Sequence, residues 1–231
     1  MKKNIVITIA RQYGSGGRTV GKMLAKELGI NYYNKELLRL ASEESGINED
    51  LFLDADERCR TIGFFKMPAN IYTGEILGPD SKDFTSFDNL FNFQAATIKK
   101  IADTTGGVII GRAANFVLKD YDNVISVFVH APQDFLMEQA GKVQSLEGEE
   151  LEKFIAREDK YRADYYEHHT GCKWTDAMNY DLCLESKVSY RGCRRDCIYA
   201  PYYRESVLIY VVYGKRTCVK RNRNGLLLAW I

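Results

Sequence analysis

The sequence predicts an α/β fold built on a parallel sheet, and three observations support this prediction. Short β-branched runs alternate along the chain with segments of helical periodicity. A glycine-rich turn at residues 13–17 joins the first of these runs, residues 5–9, to the first helical segment. Later runs also end in glycine or proline turns. Strands that alternate with helices in this way are typical of βαβ units and therefore of parallel sheets.

The individual elements follow from the same two periodicities. Strands are predicted at 5–9, 30–33, 108–110, 124–129 and 180–184, and helices from 18 to 28, 35 to 45, 88 to 103, about 133 to 137 and 149 to 169. Residues 46–87 have no clean period, and we expect loops and short helices there. The sequence therefore predicts one α/β domain with inserted helical segments.

Composition excludes several classes of protein. The chain has 231 residues, with 45% hydrophobic and 27% charged residues and a net charge of +1, which is ordinary for a globular protein. A net charge this small does not by itself indicate nucleic acid or a membrane surface as a partner. No apolar run approaches the roughly 20 residues that are needed to span a bilayer. We expect no secretory signal, reduced thiols for the six cysteines and a cytoplasmic location.

The glycine-rich turn is the strongest functional signal. It contains Gly14, Ser15, Gly16, Gly17, Arg18 and Thr19, between a predicted strand and a predicted helix. Backbone amides of such a turn, together with the helix N-terminus, favour phosphate binding. In the P-loop pattern G-x-x-x-x-G-K-[ST], Gly17, Arg18 and Thr19 take the last three positions, but Gln12 replaces the first glycine. The alternative is a plain glycine turn without a ligand.

Two side chains of this turn have candidate roles. Arg18 stands at the lysine position and can bind phosphate bidentately, although its planar guanidinium is larger than an ammonium group. Thr19 can offer its hydroxyl to Mg²⁺. ATP and Mg²⁺ are accordingly the predicted ligands of the turn.

Four ordered blocks resemble the cytidylate kinase-like family, which is related to P-loop nucleoside monophosphate kinases. The blocks are residues 7–18, 28–37, 91–114 and 159–182, and the resemblance covers about residues 4–186. It implies a three-layer P-loop NTPase fold with a parallel central sheet. It also implies a helical insertion for the nucleoside monophosphate within residues 46–87 and a lid at about 142–172.

The resemblance implies phosphoryl transfer from ATP-Mg²⁺ to a CMP-like nucleoside monophosphate or a related small acceptor. Cytidylate kinases carry aspartate where this chain has Ala113, and an aspartate of the second block is here Asn34. Together with Arg18 in place of lysine, these departures leave an alternative open. In that alternative the chain is a weak or inactive nucleotide-binding regulatory protein with a kinase fold.

Three further arginines are candidates for contacts with phosphate. Arg112 follows a predicted strand at the sheet edge where sites form, and a surface ion pair is the alternative. Arg157 and Arg162 lie on the long charged helix, where the resemblance implies a lid; a solvated helix face is the alternative. His168 and His169 follow on the same helix. Adjacent helical residues point about 100° apart, so we predict surface positions for both histidines and no metal site.

The last part of the chain differs abruptly in composition. Residues 187–231 contain ten lysines and arginines but two acids, and they are rich in tyrosine and cysteine. One interpretation is a basic segment for anionic partners such as RNA. The other, which we favour, is a non-native or out-of-frame C-terminus, because the shift falls inside an expected helix and no periodicity replaces it. The predicted boundary therefore lies after residue 186.

Overall fold

The computed structural model describes residues 4–62 and 70–187 and the strands at 207–209, 218–222 and 225–229, with side chains described for residues 4–55 and 70–187. The strands are β1 (Val6–Arg11), β2 (Tyr32–Tyr33), β3 (Gly107–Ile110), β4 (Val124–His130), β5 (Leu182–Glu185), β6 (Val207–Ile209), β7 (Cys218–Asn222) and β8 (Gly225–Ala229). The helices are α1 (Gly17–Leu28), α2 (Glu36–Ser45), α3 (Glu49–Ile62), α4 (Phe87–Thr104), α5 (Ala114–Val117), α6 (Gln133–Gly141) and α7 (Gly148–Thr170), with a 3₁₀ turn at Ala177–Asn179.

Five parallel strands form the central sheet in the order β2-β3-β1-β4-β5. The three inner strands, β1, β3 and β4, are rich in β-branched residues, which is the composition of strands buried on both faces. β1 is the central strand, and its first five residues are all buried. The predicted parallel α/β fold is therefore correct, and the predicted strands differ from the observed ones by one or two residues at their ends.

Helices cover both faces of the sheet. Ile7 and Ile9 of β1 contact Leu24 and Ala25 of α1 within one apolar cluster. The opposite face of β1 belongs to a second cluster, which contains residues of α4, α5 and α7. α6 packs against α7 through a third cluster around Phe135 and Ile155. The result is a three-layer arrangement in which the carboxyl ends of β1 and β3 lie near the start of α1 and near α7.

Residues 46–87 contain a longer helix than the sequence predicts. α3 has 14 residues, whereas short helices were expected. Leu51 and Leu53 are 40% and 39% exposed, while Phe52 between them is fully buried. Three consecutive apolar residues with one buried member obscure the helical period, which explains the difference.

The prediction that His168 and His169 lie on the surface is wrong. They are 5% and 1% exposed, respectively. The rings do point in different directions, with an interplanar angle of 85°, but the N-terminal turn of α4 packs against this end of α7 and covers both.

The C-terminal strands form a sheet of their own. β6, β7 and β8 pair in antiparallel order within one three-stranded sheet. The predicted boundary after residue 186 falls just beyond β5, and the interpretation of 187–231 as an atypical tail stays a prediction. Within the described part of the chain, no helix has both the length and the apolar character needed to cross a bilayer.

Candidate active site

The glycine turn presents backbone donors at the start of α1. Gly14 and Gly16 have φ of 79° and 78°, the left-handed region that favours glycine. Gly16 is the N-cap of α1, and no described residue accepts a hydrogen bond from the amides of Gly17, Arg18 and Thr19. These are the amides that a helix N-terminus leaves without an internal partner. They also lie at the positive end of the helix dipole, which favours an anion.

The three glycines of the turn are needed for different reasons. A Cβ on Gly14 would lie 2.5 Å from the Leu136 carbonyl oxygen, and one on Gly17 would lie 2.5 Å from Cβ of Arg11. A Cβ on Gly16 would meet nothing within 4 Å. Gly14 and Gly17 therefore allow close packing of the turn, whereas the side of Gly16 where a Cβ would stand is open. The Ser15 hydroxyl donates to the Gln12 carbonyl oxygen at 2.8 Å, so it holds the turn itself.

A cavity of about 510 Å³ opens beside the turn, at the carboxyl ends of β1 and β3. Parallel α/β sheets bind ligands at this edge, and the volume lies in the range of small-molecule sites. α2, α3, α5 and α7, together with the segment after α7, supply the remaining walls. The lining residues are Ala10, Arg11, Arg18, Asn34, Lys35, Leu38, Leu53, Ile110, Gly111, Arg112, Ala113, Asn115, Tyr161, Arg162, Tyr165, Tyr166 and Trp174.

Basic side chains dominate the polar part of this cavity. Four arginines and one lysine line it, and no acidic side chain is among the described lining residues. Burial lowers the pKa of Arg11, and the positive charges of Arg162, Arg18 and Arg112 lower it further. Arginine stays protonated in proteins, so the cluster concentrates positive charge. Nε of Arg11 is buried and has no hydrogen-bond partner among the described residues. An anion in the cavity would offset this concentration of positive charge.

The turn after β3 places Arg112 and Ala113 in an unusual backbone conformation. Gly111, Arg112 and Ala113 have successive φ values of 71°, 60° and 49°. The left-handed region is unfavourable for residues with a Cβ, and such residues cluster at functional sites. Arg112 Nη1 donates to Gln94 Oε1 at 3.2 Å, which orients the guanidinium. Ala113 is buried and supplies no carboxylate to this wall.

Helix α7 contacts the glycine turn through Asp159. Asp159 Oδ1 accepts from the Tyr13 amide at 2.7 Å and from Arg162 Nη1 at 2.5 Å. Burial raises the pKa of Asp159, and Arg162 opposes this rise. The Tyr13 ring also meets Phe154 edge to face at 5.1 Å. The predicted lid segment is thus packed onto the turn, and one of the turn's amides is already bonded to a carboxylate.

The structure brings together three of the four arginines predicted from the sequence. Arg18, Arg112 and Arg162 line one cavity. Arg157 is exposed, lies over the Phe154 ring at 5.2 Å and is not among the lining residues. Thr19 is exposed on α1 beside the turn, and it does not line the cavity either.

Sequence reasoning missed Arg11 and Lys35. Arg11 is the last residue of β1, so the rule that sites form at strand carboxyl ends, applied to Arg112, would also have selected it. No sequence signal of this kind marks Lys35. It lines the cavity because of where α2 packs in the fold.

Comparisons with solved structures give matches at low identity. An uncharacterized protein from Eubacterium ventriosum ATCC 27560 is 26% identical, with a TM-score of 0.56, over 79% of this chain and 88% of that chain. Shikimate kinase from Bacteroides thetaiotaomicron is 12% identical, with a TM-score of 0.43, over 79% of this chain and 86% of that chain. A gluconokinase from Sinorhizobium meliloti 1021 is 12% identical, with a TM-score of 0.43, over 80% and 85%. No curated protein sequence matches the chain.

A family model provides the most specific comparison. The model described as the cytidylate kinase-like family matches residues 6–188, which span the central sheet, the glycine turn and every wall of the cavity. This range agrees with the resemblance inferred from the sequence blocks. The chain belongs to the cytidylate kinase-like family and has the predicted α/β fold with a parallel central sheet.

Proposed function

We propose that the protein is a nucleotide-binding phosphotransferase that transfers the γ-phosphoryl group of ATP to a small anionic acceptor, with a CMP-like nucleoside monophosphate as the first candidate. The observation that carries this proposal is the convergence of Arg11, Arg18, Arg112 and Arg162 on one cavity beside the N-terminus of α1. Phosphoryl transfer depends mainly on positioning and on positive charge around the transferred group.

The two parts of the site suit two parts of the reaction. The free amides of Gly17, Arg18 and Thr19 would bind the donor phosphates. The cavity would hold the acceptor, with guanidinium groups on its anionic part and the rings of Tyr161, Tyr165 and Trp174 on its apolar part. Arg18 lies between the two parts and would contact both ligands.

The glycine turn provides the candidate protein ligand for Mg²⁺. Thr19 is exposed beside the free amides, and its hydroxyl would be the protein ligand, with phosphate oxygens and waters completing the shell. Mg²⁺ supplies neutralisation of phosphate charge when it is bound. The described cavity residues add no carboxylate to this set.

Arg162 would neutralise charge on the transferred group while Asp159 holds its guanidinium in place. Arg157 would reach phosphate only after α7 moves, and its role stays a prediction.

A second candidate function is nucleotide binding without turnover. It is favoured by one specific observation, the lack of an acidic side chain among the described residues that line the cavity. With Asn34 and Ala113 on its walls, the described lining of the cavity supplies no carboxylate to accept a proton from an acceptor hydroxyl.

The experiment combines nucleotide titration with coupled assays of ATP hydrolysis or transfer to each nucleoside monophosphate. We expect Arg112→Ala to lower kcat/KM by about 100-fold, as loss of one charge-stabilising group does. Lys153→Ala is the matched control, because Lys153 lies on α7 in an exposed pair with Glu149. Tight ATP binding without turnover on any acceptor would favour the second function, and absence of ATP binding would reject both.

A further inference from the structure

A second polar cluster lies away from the arginine cavity, where the start of α4 meets the end of α7. Its members are Asp88, in the first turn of α4, and His168 and His169, in the last turn of α7. One ligand atom from each of the three residues can be chosen so that all lie within 4.8 Å of one another. The two histidines are 5% and 1% exposed, which is unusual for a pair of imidazoles.

The spacing of these atoms is close to that of a metal site. His168 Nε2 lies 2.8 Å from Asp88 Oδ1, and His169 Nδ1 lies 3.8 Å from the same oxygen. Two ligands bound tetrahedrally at about 2.0–2.1 Å from Zn²⁺ lie about 3.4 Å apart. Shifts of about half an ångström would bring these two distances to that value. The third pair of ligand atoms lies within 4.8 Å and needs a shift of at most about 1.4 Å.

Hydrogen bonding inside the protein does not account for His169. Its Nε2 is buried without a partner among the described residues, and its Nδ1 is too far from Asp88 for a hydrogen bond. Its ring stacks on Phe91 with centroids 3.8 Å apart and an interplanar angle of 7°, so its orientation is fixed. Buried polar atoms nearly always have partners. A cation bound at Nδ1 would give that nitrogen a partner, while Nε2 would carry the proton of the neutral ring.

A cavity gives the cluster access to solvent and further donors. It has a volume of about 390 Å³, and both Asp88 and His169 line it. Asn70, Glu75, Asp83 and Asn92 line it as well. Water from this cavity could complete a four-coordinate shell, as it does in zinc sites that have only three protein ligands.

We propose that Asp88, His168 and His169 bind a divalent cation of the zinc type, which fastens the N-terminus of α4 to the C-terminus of α7. Imidazole nitrogens with one carboxylate select such ions over Mg²⁺ and Ca²⁺, which prefer oxygen ligands. On binding, Nε2 of His168 loses its hydrogen bond to Asp88 and its proton moves to Nδ1 or to solvent. The alternative is a plain hydrogen bond between the two helices.

The test uses the full chain, treated with a chelator and then titrated with Zn²⁺ by calorimetry and with Co²⁺ by visible absorption. We expect one equivalent of each metal and the strong visible bands of four-coordinate Co²⁺. Asp88→Asn should weaken binding by at least about 100-fold, beyond the 10- to 100-fold that loss of an outer-shell partner costs. The asparagine keeps an acceptor for His168, so this variant should fold. His169→Gln should have the same effect.

The controls remove the other groups that bind zinc. His130→Gln changes the third of the three histidines, outside the cluster, and Cys193→Ser with Cys197→Ser removes two thiols of the C-terminal segment. Both should bind metal like the parent chain. Metal should raise the thermal midpoint of the parent chain and leave that of Asp88→Asn unchanged. The proposal is overturned if the parent chain binds no more metal than Asp88→Asn, or if binding is lost with the thiols.

Discussion

At the scale of single residues, the glycine turn shows how one residue type serves two purposes. Gly14 and Gly16 have the same φ within a degree. The space around them differs, because Gly14 packs against a backbone carbonyl of α6 while Gly16 faces open space. A side chain would therefore be strained by the positive φ at both positions. Only at Gly14 would its Cβ also overlap a neighbouring atom.

We predict that Gly14→Ala destabilises the fold by about 2–4 kcal/mol, of which about 1 kcal/mol is backbone strain and the rest overlap with Leu136. Gly16→Ala should cost about 1 kcal/mol, from backbone strain alone. Urea denaturation of the two variants and the parent chain measures both values. Equal losses would contradict the packing reason given for Gly14.

At the scale of elements, Asp159 links helix α7 to the glycine turn. Its carboxylate is bonded to Tyr13 and to Arg162, and the Arg162 and Asp159 side chains are only 12% and 16% exposed. Glu158 is the next acid, 4.0 Å from the Arg162 guanidinium. Removal of one partner of a buried pair leaves a charge without adequate compensation.

We predict that Asp159→Ala destabilises the fold by about 3 kcal/mol, because a buried arginine loses its near partner. Asp159→Asn should lose less, since its amide oxygen still accepts from the Tyr13 amide. Asp164→Ala is the matched control on the same helix, where a pair with a half-exposed lysine predicts a loss of about 0.5 kcal/mol. Chemical denaturation gives all three values. Similar losses of stability for Asp159→Ala and Asp164→Ala would contradict the role of Asp159 in linking α7 to the glycine turn.

At the scale of the whole molecule, the parallel sheet and the family match end together. β5 is the last strand of the five-stranded sheet, and the family model ends at residue 188. The three C-terminal strands pair among themselves and with none of the five parallel strands. The elements that form the arginine cavity and the Asp88 cluster all precede residue 188.

We predict that a chain ending at Lys187 keeps its free energy of unfolding within about 1 kcal/mol, because the described parallel sheet and its three apolar clusters lie within residues 4–187. Its affinity for ATP should stay within twofold of that of the parent chain, because no residue of the proposed site is removed. Circular dichroism during urea denaturation and nucleotide titration measure the two quantities. A truncated chain that fails to fold would show that residues 188–231 belong to the domain.

Truncation also tests the tail as a nucleic-acid module. RNA retention on a filter that is equal for the parent and truncated chains would reject that interpretation.

The parallel fold and the glycine turn could be predicted from the sequence because their signals are local. A β-branched run, a turn with two left-handed glycines and an amphipathic helix each lie within a dozen residues, where periodicity and backbone preference act directly. Arg18 and Arg112 could be named because they follow strands or turns whose position in a parallel sheet is known in advance.

The sequence by itself determined the order of the elements, the family and the position of the glycine turn before α1. Only the tertiary structure decided which distant side chains meet. Arg11 and Lys35 line the arginine cavity, and Asp159 accepts a hydrogen bond from the glycine turn. The two histidines expected in solvent are covered by α4. The physical reason is that burial and charge depend on packing between helices far apart in the chain. A single sequence carries local preferences but does not display those contacts.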